Sequence, residues 1–463
     1  MTYKECKRLL EEQGQVHLLR FWDKLDEKQR AALLGQVSQL DFAQVAQLRE
    51  LLGADEVEGT RHEIEPAPVV RLSDLALQRE EACAAGARAL SAGEVGVILV
   101  AGGQGTRLGF DGPKGCYPLG PLTNMTLFEI HARKIRALEG RYGGAVPFYI
   151  MTSQTNDEPT KRYFKDHAYF GLRPENVTFF TQAMLPALRP DGSAILDRPD
   201  HIFVSPDGHG GTLAALARTG CLEDMRRRGL RTMFYFQVDN ALVQIADPAF
   251  IGLHILRESE MSLKVCAKRD PEEGLGMVVR EGSRLAVVEY TELTHEQKHE
   301  TLPDGNLRLL FGSVAIHVFS VDFLVREASA GLPFHRAHKK VPYCEASGNT
   351  VSPEEPNAYK FEKFIFDALP DADRSLVVEF AREEEFSPVK NPSGNDSPDT
   401  ARRDLMLKHA RWLESAGIAV PRTADGGLRH KLEIDPCFAL DAGELARRVD
   451  KTTVLAEDLV LAE

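Results

Sequence analysis

Apolar residues recur at spacings of three and four through the first part of the chain, in YKECKRLLEEQ (3–13), EKQRAALLGQV (27–37) and FAQVAQLRELL (42–52). That period predicts helices. Asp41, three residues before Gln44, reads as the N-cap of the third. Gly and Pro in VEGTRHEIEPAPVV interrupt the pattern. SDLALQREEACAAGARALSAG then predicts a further helix that starts at Ser73 and stops by Gly93.

From residue 94 the texture changes. VGVILVA (95–101), VPFYIMTS (146–153), VTFFTQ (177–182), TMFYFQVDN (232–240) and SLKVCAK (262–268) are short apolar runs bounded by loops. Helical patterns lie between several of them: TLFEIHARKIRALEG, EPTKRYFKDHA, HGGTLAALARTGCLEDMRRRG and PAFIGLHILRES. Strands alternating with helices imply an α/β fold with a mostly parallel sheet covered by helices on both faces. LAVVEYTE and LRLLFGSVAIHVFS read as later strands and YKFEKFIFDAL as a later helix. EFSPVKNPSGNDSPDT (385–400) is a loop before a segment with a helix and a few strands. The expected organisation is a helical N-terminal region (1–93), a central catalytic domain (94–384) and a small C-terminal domain (385–463). In open α/β sheets ligands bind at the carboxyl ends of the strands. The loops after Val100, Ser153, Gln182 and Val238 are therefore expected to share one crevice.

The net charge of −13 over 463 residues argues against nucleic acid or an anionic membrane as the main partner, because each needs a broad basic surface. The seven cysteines are scattered and never form CxxC, which fits reduced thiols in a cytoplasm. The polar N-terminus is no signal peptide, and no apolar run approaches the roughly 20 residues of a membrane span.

The candidate chemistry begins at VILVAGGQGTRLGFDGPKGCYPLG (97–120). Gly102, Gly103 and Gly105 allow a sharp turn that exposes backbone N–H groups to an anion. A tight loop that binds nothing is the plain alternative. The spacing does not fit a dinucleotide fingerprint, which needs GxGxxG and an acidic residue about 20 further on. It does not fit GxxxxGK[ST] either, since Lys114 follows a proline. Arg107 and Lys114 stand seven apart on one loop. Both can wrap a polyphosphate, the arginine as a planar fork and the lysine as a point charge.

The glycine loop resembles the signature of sugar nucleotidyltransferases, specifically the family of UDP-N-acetylhexosamine and UDP-sugar pyrophosphorylases (UDPGP type 1). FYIMTS, HAYFGLRPENVTFFTQAMLPAL, VSPDGHGG, FQVDNALVQIADPAFIG, VVEYTEL, KKVPY, EPNAYKFEKFIFD and REEEFSPVKN are similar to that family in the same order, from about residue 94 to 405. The resemblance implies a Rossmann-like, GT-A-like nucleotidyltransferase fold. It implies a uridylyltransferase that makes UDP-sugar and pyrophosphate from UTP and a sugar 1-phosphate. The sugar phosphate oxygen attacks the α-phosphorus in line, so no covalent intermediate is needed. The absence of a nucleophile–base pair in the sequence fits that chemistry.

By resemblance, Arg107 and Lys114 hold the UTP phosphates, Gly102 and Gly103 approach the nucleoside, and Gln182 contacts uracil. Asp239, closing an apolar strand, holds Mg²⁺ together with substrate phosphates, and Asn240 helps orient the site. Lys360 lies on the phosphate side of the sugar, with Lys363 at i+3. Lys390 and the pair Lys339 and Lys340 are secondary candidates. Glu289 and Tyr290 match a sugar-contacting strand. The histidines of HRAH, His335 and His338, suggest a metal site only weakly, because no third ligand is evident.

Two positions depart from the N-acetylhexosamine branch. His209, after Gly208 in PDGHGG, stands where that branch usually has Asn. Ser313 stands where it carries a longer segment with an asparagine. Overall similarity favours N-acetylglucosamine 1-phosphate, with glucose 1-phosphate or a broad sugar range as the alternative. An inactive nucleotide-sugar binding protein and a dinucleotide-dependent oxidoreductase are the competing classes.

Overall fold

The computed structural model describes residues 1–53 and 64–463. Most of the interruption expected in VEGTRHEIEPAPVV lies outside the described residues. The chain forms two units, Met1–Glu58 with Gln182–Gly211 and Leu332–Asp367, and Gly59–Thr181 with Thr212–Gly331 and Ala368–Glu463.

The larger unit is built on one mixed sheet. Val95–Val100 is parallel to Phe148–Thr152 on one side and to Thr232–Gln237 on the other, and Val177–Thr181 extends the parallel part beyond Phe148–Thr152. Val95–Val100, Phe148–Thr152 and Thr232–Gln237 are buried on both faces, which is why they read as unbroken apolar runs. The helices Leu72–Ser91, Leu127–Tyr142 and Pro248–Leu256 bury apolar residues such as Leu90, Ile135 and Phe250 in the same core as this sheet. Beyond Thr232–Gln237 the sheet turns antiparallel through Phe311–Ser320. That long strand also pairs with Met261–Ala267 and, near its start, with Gly276–Glu281. Ala315 has φ 57° in its middle, and the register against Met261–Ala267 shifts nearby, so the strand is kinked. The α/β class expected from the pattern is observed. After residue 385, the helices Pro398–Ser415 and Ala442–Arg448 bury Leu413 and Leu445 in a cluster of their own.

The smaller unit packs the helices Tyr3–Glu12, Glu27–Gln39 and Phe42–Leu52 with short two-stranded ribbons, such as Met184–Pro186 with Val204–Pro206 and His335–Lys339 with Ala358–Glu362. Leu10, Leu33, Leu48, Leu188 and Phe361 are fully buried in its core. Asp41 caps the third helix as expected, accepting from the Gln44 N–H at 3.1 Å.

Two expected helices are different. YKFEKFIFDAL is not a helix: Ala358–Glu362 is a strand and Ile365–Asp371 a 3₁₀ turn. Its aromatic content suits a pleated surface, and the ladder with His335–Lys339 satisfies the backbone. Lys360 and Lys363 are therefore not one helical turn apart. HGGTLAALARTGCLEDMRRRG is broken in two, Thr212–Arg218 and Cys221–Arg227, because Gly220 takes φ 74° between them. Among the described residues no helix is long and apolar enough to cross a membrane. All seven cysteines are free thiols.

Candidate active site

The parallel strands of the larger unit end on one edge, and the loops after Val95–Val100, Phe148–Thr152 and Thr232–Gln237 are held together there. Asn156, fully buried, donates from Nδ2 to the carbonyls of Ala101 and Gly103 at 2.9 and 3.2 Å. Its Oδ1 accepts from the Ser153 N–H and hydroxyl at 2.8 and 3.1 Å. One side chain thus clamps the loop after Phe148–Thr152 to the glycine loop. Sequence reasoning missed it, although an Asn three residues beyond a strand-ending Ser is a recognisable Asx signal.

The glycine loop closes on itself. The Gly105 N–H donates to the Gly112 carbonyl at 2.8 Å, and the Lys114 N–H to the Gly103 carbonyl at 3.1 Å. A Cβ on Gly105 would lie 2.7 Å from the Phe110 ring, so packing within the protein requires that glycine. A Cβ on Gly103 would meet nothing within 4 Å. The missing side chain there leaves room beside the backbone, as an approaching phosphate needs. Gly102 is buried.

Lys114 turns inward and donates to Asp239 Oδ2 at 2.8 Å, with both side chains largely buried. Burial alone would raise the Asp239 carboxyl, but Lys114 and Lys390 outweigh it and hold the group below the usual carboxylate range. The structure therefore brings Lys114, Asp239 and Lys390 together. Arg107 lies on the exposed turn Thr106–Leu108 of the same loop.

Beneath Asp239 is a polar scaffold that the sequence reading did not find. His131, fully buried, donates from Nε2 to the Val238 carbonyl at 3.0 Å, and its Nδ1 has no hydrogen-bond partner among the described residues. Burial, with Lys134 adding to it, pushes this imidazole down to about 3, so it stays neutral. Lys134 donates to the carbonyls of Ala241 and Val243 at 2.6 and 2.8 Å. Lys408 donates to those of Leu242 and Glu384 at 3.0 and 2.5 Å. Lys264, 2% exposed, bridges Asp247 at 2.8 Å and Glu385 at 2.5 Å. Asn240 donates to the Glu385 carbonyl at 2.7 Å and accepts from the Ser387 N–H at 3.2 Å. Its amide thus ties the Asp239 loop to the segment that carries Lys390. The signal was present: a lysine at the core-facing period of Leu127–Tyr142 and another inside the apolar run SLKVCA are rarely buried unless paired.

Glu289 and Tyr290 follow the strand Arg284–Val288 rather than lying on it. The ladder with the partner strand ends at Met277 opposite Val288, and Gly276 pairs with Ser313 instead. Tyr290 is partly exposed. Ser313 sits just before the kink of Phe311–Ser320, opposite Val265 and Gly276.

The remaining candidates belong to the smaller unit. Gln182, 5% exposed, is its first residue after Thr181. Gly208 takes φ 82°, and a Cβ there would lie 2.5 Å from the Lys363 carbonyl oxygen. The Lys363 N–H donates to the Asp207 carbonyl at 2.8 Å, and the Gly210 N–H to the Lys363 carbonyl at 2.7 Å. His209 is packed against Phe364 and Phe366, and its Nδ1 accepts from the Ile365 N–H at 3.2 Å. A neutral ring so engaged carries its proton on Nε2. Lys360 Nζ lies 4.9 Å from the Phe203 ring centre and Lys363 Nζ 4.2 Å from that of Phe334. Burial lowers both ammonium groups from their usual range. Lys339 and Lys340 are exposed. His335 pairs with Asp367 at 2.8 Å, while His338 stacks on Tyr359.

Comparison with known proteins adds to this geometry. The family described as UTP--glucose-1-phosphate uridylyltransferase matches residues 44–425. The UDP-N-acetylglucosamine pyrophosphorylase of Saccharomyces cerevisiae is 37% identical over 439 residues, 90% of this chain and 92% of that protein. UDP-N-acetylhexosamine pyrophosphorylase-like protein 1 of Xenopus tropicalis is 40% identical over 434 residues, 89% of this chain and 84% of that protein. The crystal structure of the Trypanosoma brucei uridine diphosphate N-acetylglucosamine pyrophosphorylase in complex with an inhibitor superposes with a TM-score of 0.80 at 28% identity, covering 96% of this chain and 94% of that one. The chain belongs to the UTP--glucose-1-phosphate uridylyltransferase family.

Proposed function

We propose that the protein is a cytoplasmic uridylyltransferase that converts UTP and a sugar 1-phosphate, foremost N-acetylglucosamine 1-phosphate, into UDP-sugar and pyrophosphate. The observation that carries this reading is the Lys114–Asp239 pair at the carboxyl edge of the parallel strands, inside a loop shaped to admit a phosphate. Relatives bearing N-acetylglucosamine and N-acetylhexosamine names support the choice of sugar.

The chemistry is charge management. As the sugar phosphate oxygen attacks the α-phosphorus, negative charge is redistributed toward pyrophosphate. Cations positioned around the phosphates stabilise that change. Lys114 and Arg107 supply them on the UTP side, and Lys360, in the smaller unit, is the candidate cation for the sugar phosphate. Lys390 adds positive charge beside Asp239. Gln182 offers a donor and an acceptor to uracil. Glu289, Tyr290 and Ser313 meet sugar hydroxyls.

Asp239 suits Mg²⁺, a hard cation that takes one or two protein carboxylates and completes its shell with phosphate and water oxygens. Bound there, the ion would neutralise phosphate charge and orient the leaving group. Until then Lys114 keeps the buried carboxylate compensated.

A second reading, transfer to glucose 1-phosphate, is favoured by His209, whose Nε2–H donates but cannot also accept as an acetamido partner would require. The test is incubation with UTP, Mg²⁺ and a panel of sugar 1-phosphates while pyrophosphate is followed. Release with N-acetylglucosamine 1-phosphate is the expected result. Release only with glucose 1-phosphate moves the reading to the second sugar, and no release with any sugar overturns the enzyme.

A further inference from the structure

Away from the site described above, the larger unit presents two histidines and a carboxylate that converge. The short helix His295–His299, started by a Thr294–Gln297 capping box, places its two histidines one turn apart on one face. Their rings lie 4.0 Å apart, centre to centre. Glu272, in the connection between the strands Met261–Ala267 and Gly276–Glu281, faces them, with Oε1 3.3 Å from His299 Nε2. One ligand atom from each of the three residues lies within 4.8 Å of the others.

We propose that Glu272, His295 and His299 form a site for a divalent transition metal of the zinc class, completed by water. Two imidazoles at i and i+4 on a helix with one carboxylate are a chelating set for Zn²⁺. Nitrogen ligands disfavour Mg²⁺, so the site is chemically distinct from Asp239. The orientation of His299 is the second observation. Its Nδ1 lies 2.9 Å from the His295 carbonyl. That contact occupies Nδ1 and turns Nε2, the nitrogen a metal would take, toward Glu272. Metal-binding histidines are commonly oriented this way. A tetrahedral zinc needs ligand atoms about 3.4 Å apart. The His299–Glu272 pair already has that spacing, and the exposed side chains need only small rotamer shifts to close the third side.

The acidic side is pre-positioned too. The Glu272 N–H donates to Asp270 Oδ1 at 2.9 Å, and Lys268 Nζ donates to the Pro271 carbonyl at 2.6 Å. Lys298 Nζ, 3.9 Å from Glu272 Oε2, addresses the other carboxylate oxygen and leaves Oε1 to the metal. An ion here ties the 270–275 connection to the segment that follows Val288. Tyr290 belongs to that segment, and a Cβ on Gly274 would lie 3.5 Å from its ring. The metal therefore orders the stretch that carries the candidate sugar-contacting tyrosine.

The experiment uses the full chain stripped with chelator and titrated with Zn²⁺ by calorimetry in excess Mg²⁺. One equivalent is expected to bind. His295→Ala and His299→Ala should each weaken it more than about tenfold, at least the effect of losing an orienting partner. Glu272→Gln should weaken it as well, and Asp239→Asn should leave it unchanged. These three side chains are exposed, so circular dichroism should show the variants folded. Absence of a saturable equivalent, or unchanged affinity in either histidine variant, overturns the proposal. A loss caused by Asp239→Asn also overturns it, because the zinc would then lie at the other site.

Discussion

Lys264→Met removes the ammonium that holds Asp247 and Glu385 together while nearly keeping the side chain's volume. Lys264 is 2% exposed, and the two carboxylate side chains are 9% and 7% exposed. Two charge-assisted hydrogen bonds at about 1.5–3 kcal/mol each set the gross loss at about 3–6 kcal/mol. The lysine's own desolvation, relieved in the variant, trims this, and breaking a buried pair from one side costs about 3–5 kcal/mol. Two neighbouring buried carboxylates without a cation cannot both stay ionised, so one takes up a proton with a raised pKa. A raised folded-state value makes the variant's deficit largest above that pKa and smaller as pH falls below it. Urea unfolding followed by Trp412 fluorescence in a Trp22→Phe background measures this locally, because Trp412 Nε1 donates to Glu384 at 3.3 Å beside the pair. Lys264→Met/Glu385→Gln should recover at least about 1 kcal/mol of the loss, since it leaves a single carboxylate. Turnover should fall as well, because Glu385 anchors Asn240 and Gln244 next to Asp239. A loss below about 1 kcal/mol, or a deficit that does not change with pH, would refute the account.

Other outcomes are equally specific. Lys114→Ala should lower kcat about 10²–10³-fold, as loss of a charge-stabilising donor does, and cost about 1.5–3 kcal/mol of stability from its bond to Asp239. A normal rate removes it from the chemistry. The depressed Asp239 carboxyl contributes stability that is fully present above its ordinary value of about 3.9 and is lost as pH falls through the lower folded value. Acid unfolding of Asp239→Asn, compared with the parent, should lack that component. Gly115→Ala should cost about 1–3 kcal/mol by overpacking, because its Cβ would fall 2.3 Å from the Phe128 ring; a thermal melt reads it. His209→Asn should raise the ratio of kcat/KM for N-acetylglucosamine 1-phosphate over glucose 1-phosphate, and an unchanged ratio shows that His209 does not read the sugar.

Much of the larger unit was legible because its signals are local. Strands buried on both faces must be apolar throughout, so Val95–Val100 and Thr232–Gln237 announce themselves. A loop suited to a phosphate needs glycines and isolated cations, so their spacing singles out Gly103, Arg107 and Lys114 as candidates. The misreadings have local causes as well. Tyr359 to Leu369 offers apolar residues at a period compatible with helix, and only the partner strand His335–Lys339, more than twenty positions upstream, makes Ala358–Glu362 a strand. Glu289 and Tyr290 left their expected strand because the partner's ladder ends at Met277 opposite Val288, which no feature of VVEYTE encodes.

By itself, then, the sequence determined the α/β class, the glycine loop and the charge set suited to polyphosphate, since each rests on residue types at short range. Tertiary structure alone decided which charges meet. Lys114 and Asp239 are 125 positions apart, and their bond exists because the parallel strands Val95–Val100 and Thr232–Gln237 are neighbours. The same holds for the buried lysines under that bond. A lysine's sequence surroundings do not say whether its ammonium faces water or a distant carboxylate, and burial of a charge is tolerated only where the fold supplies the partner.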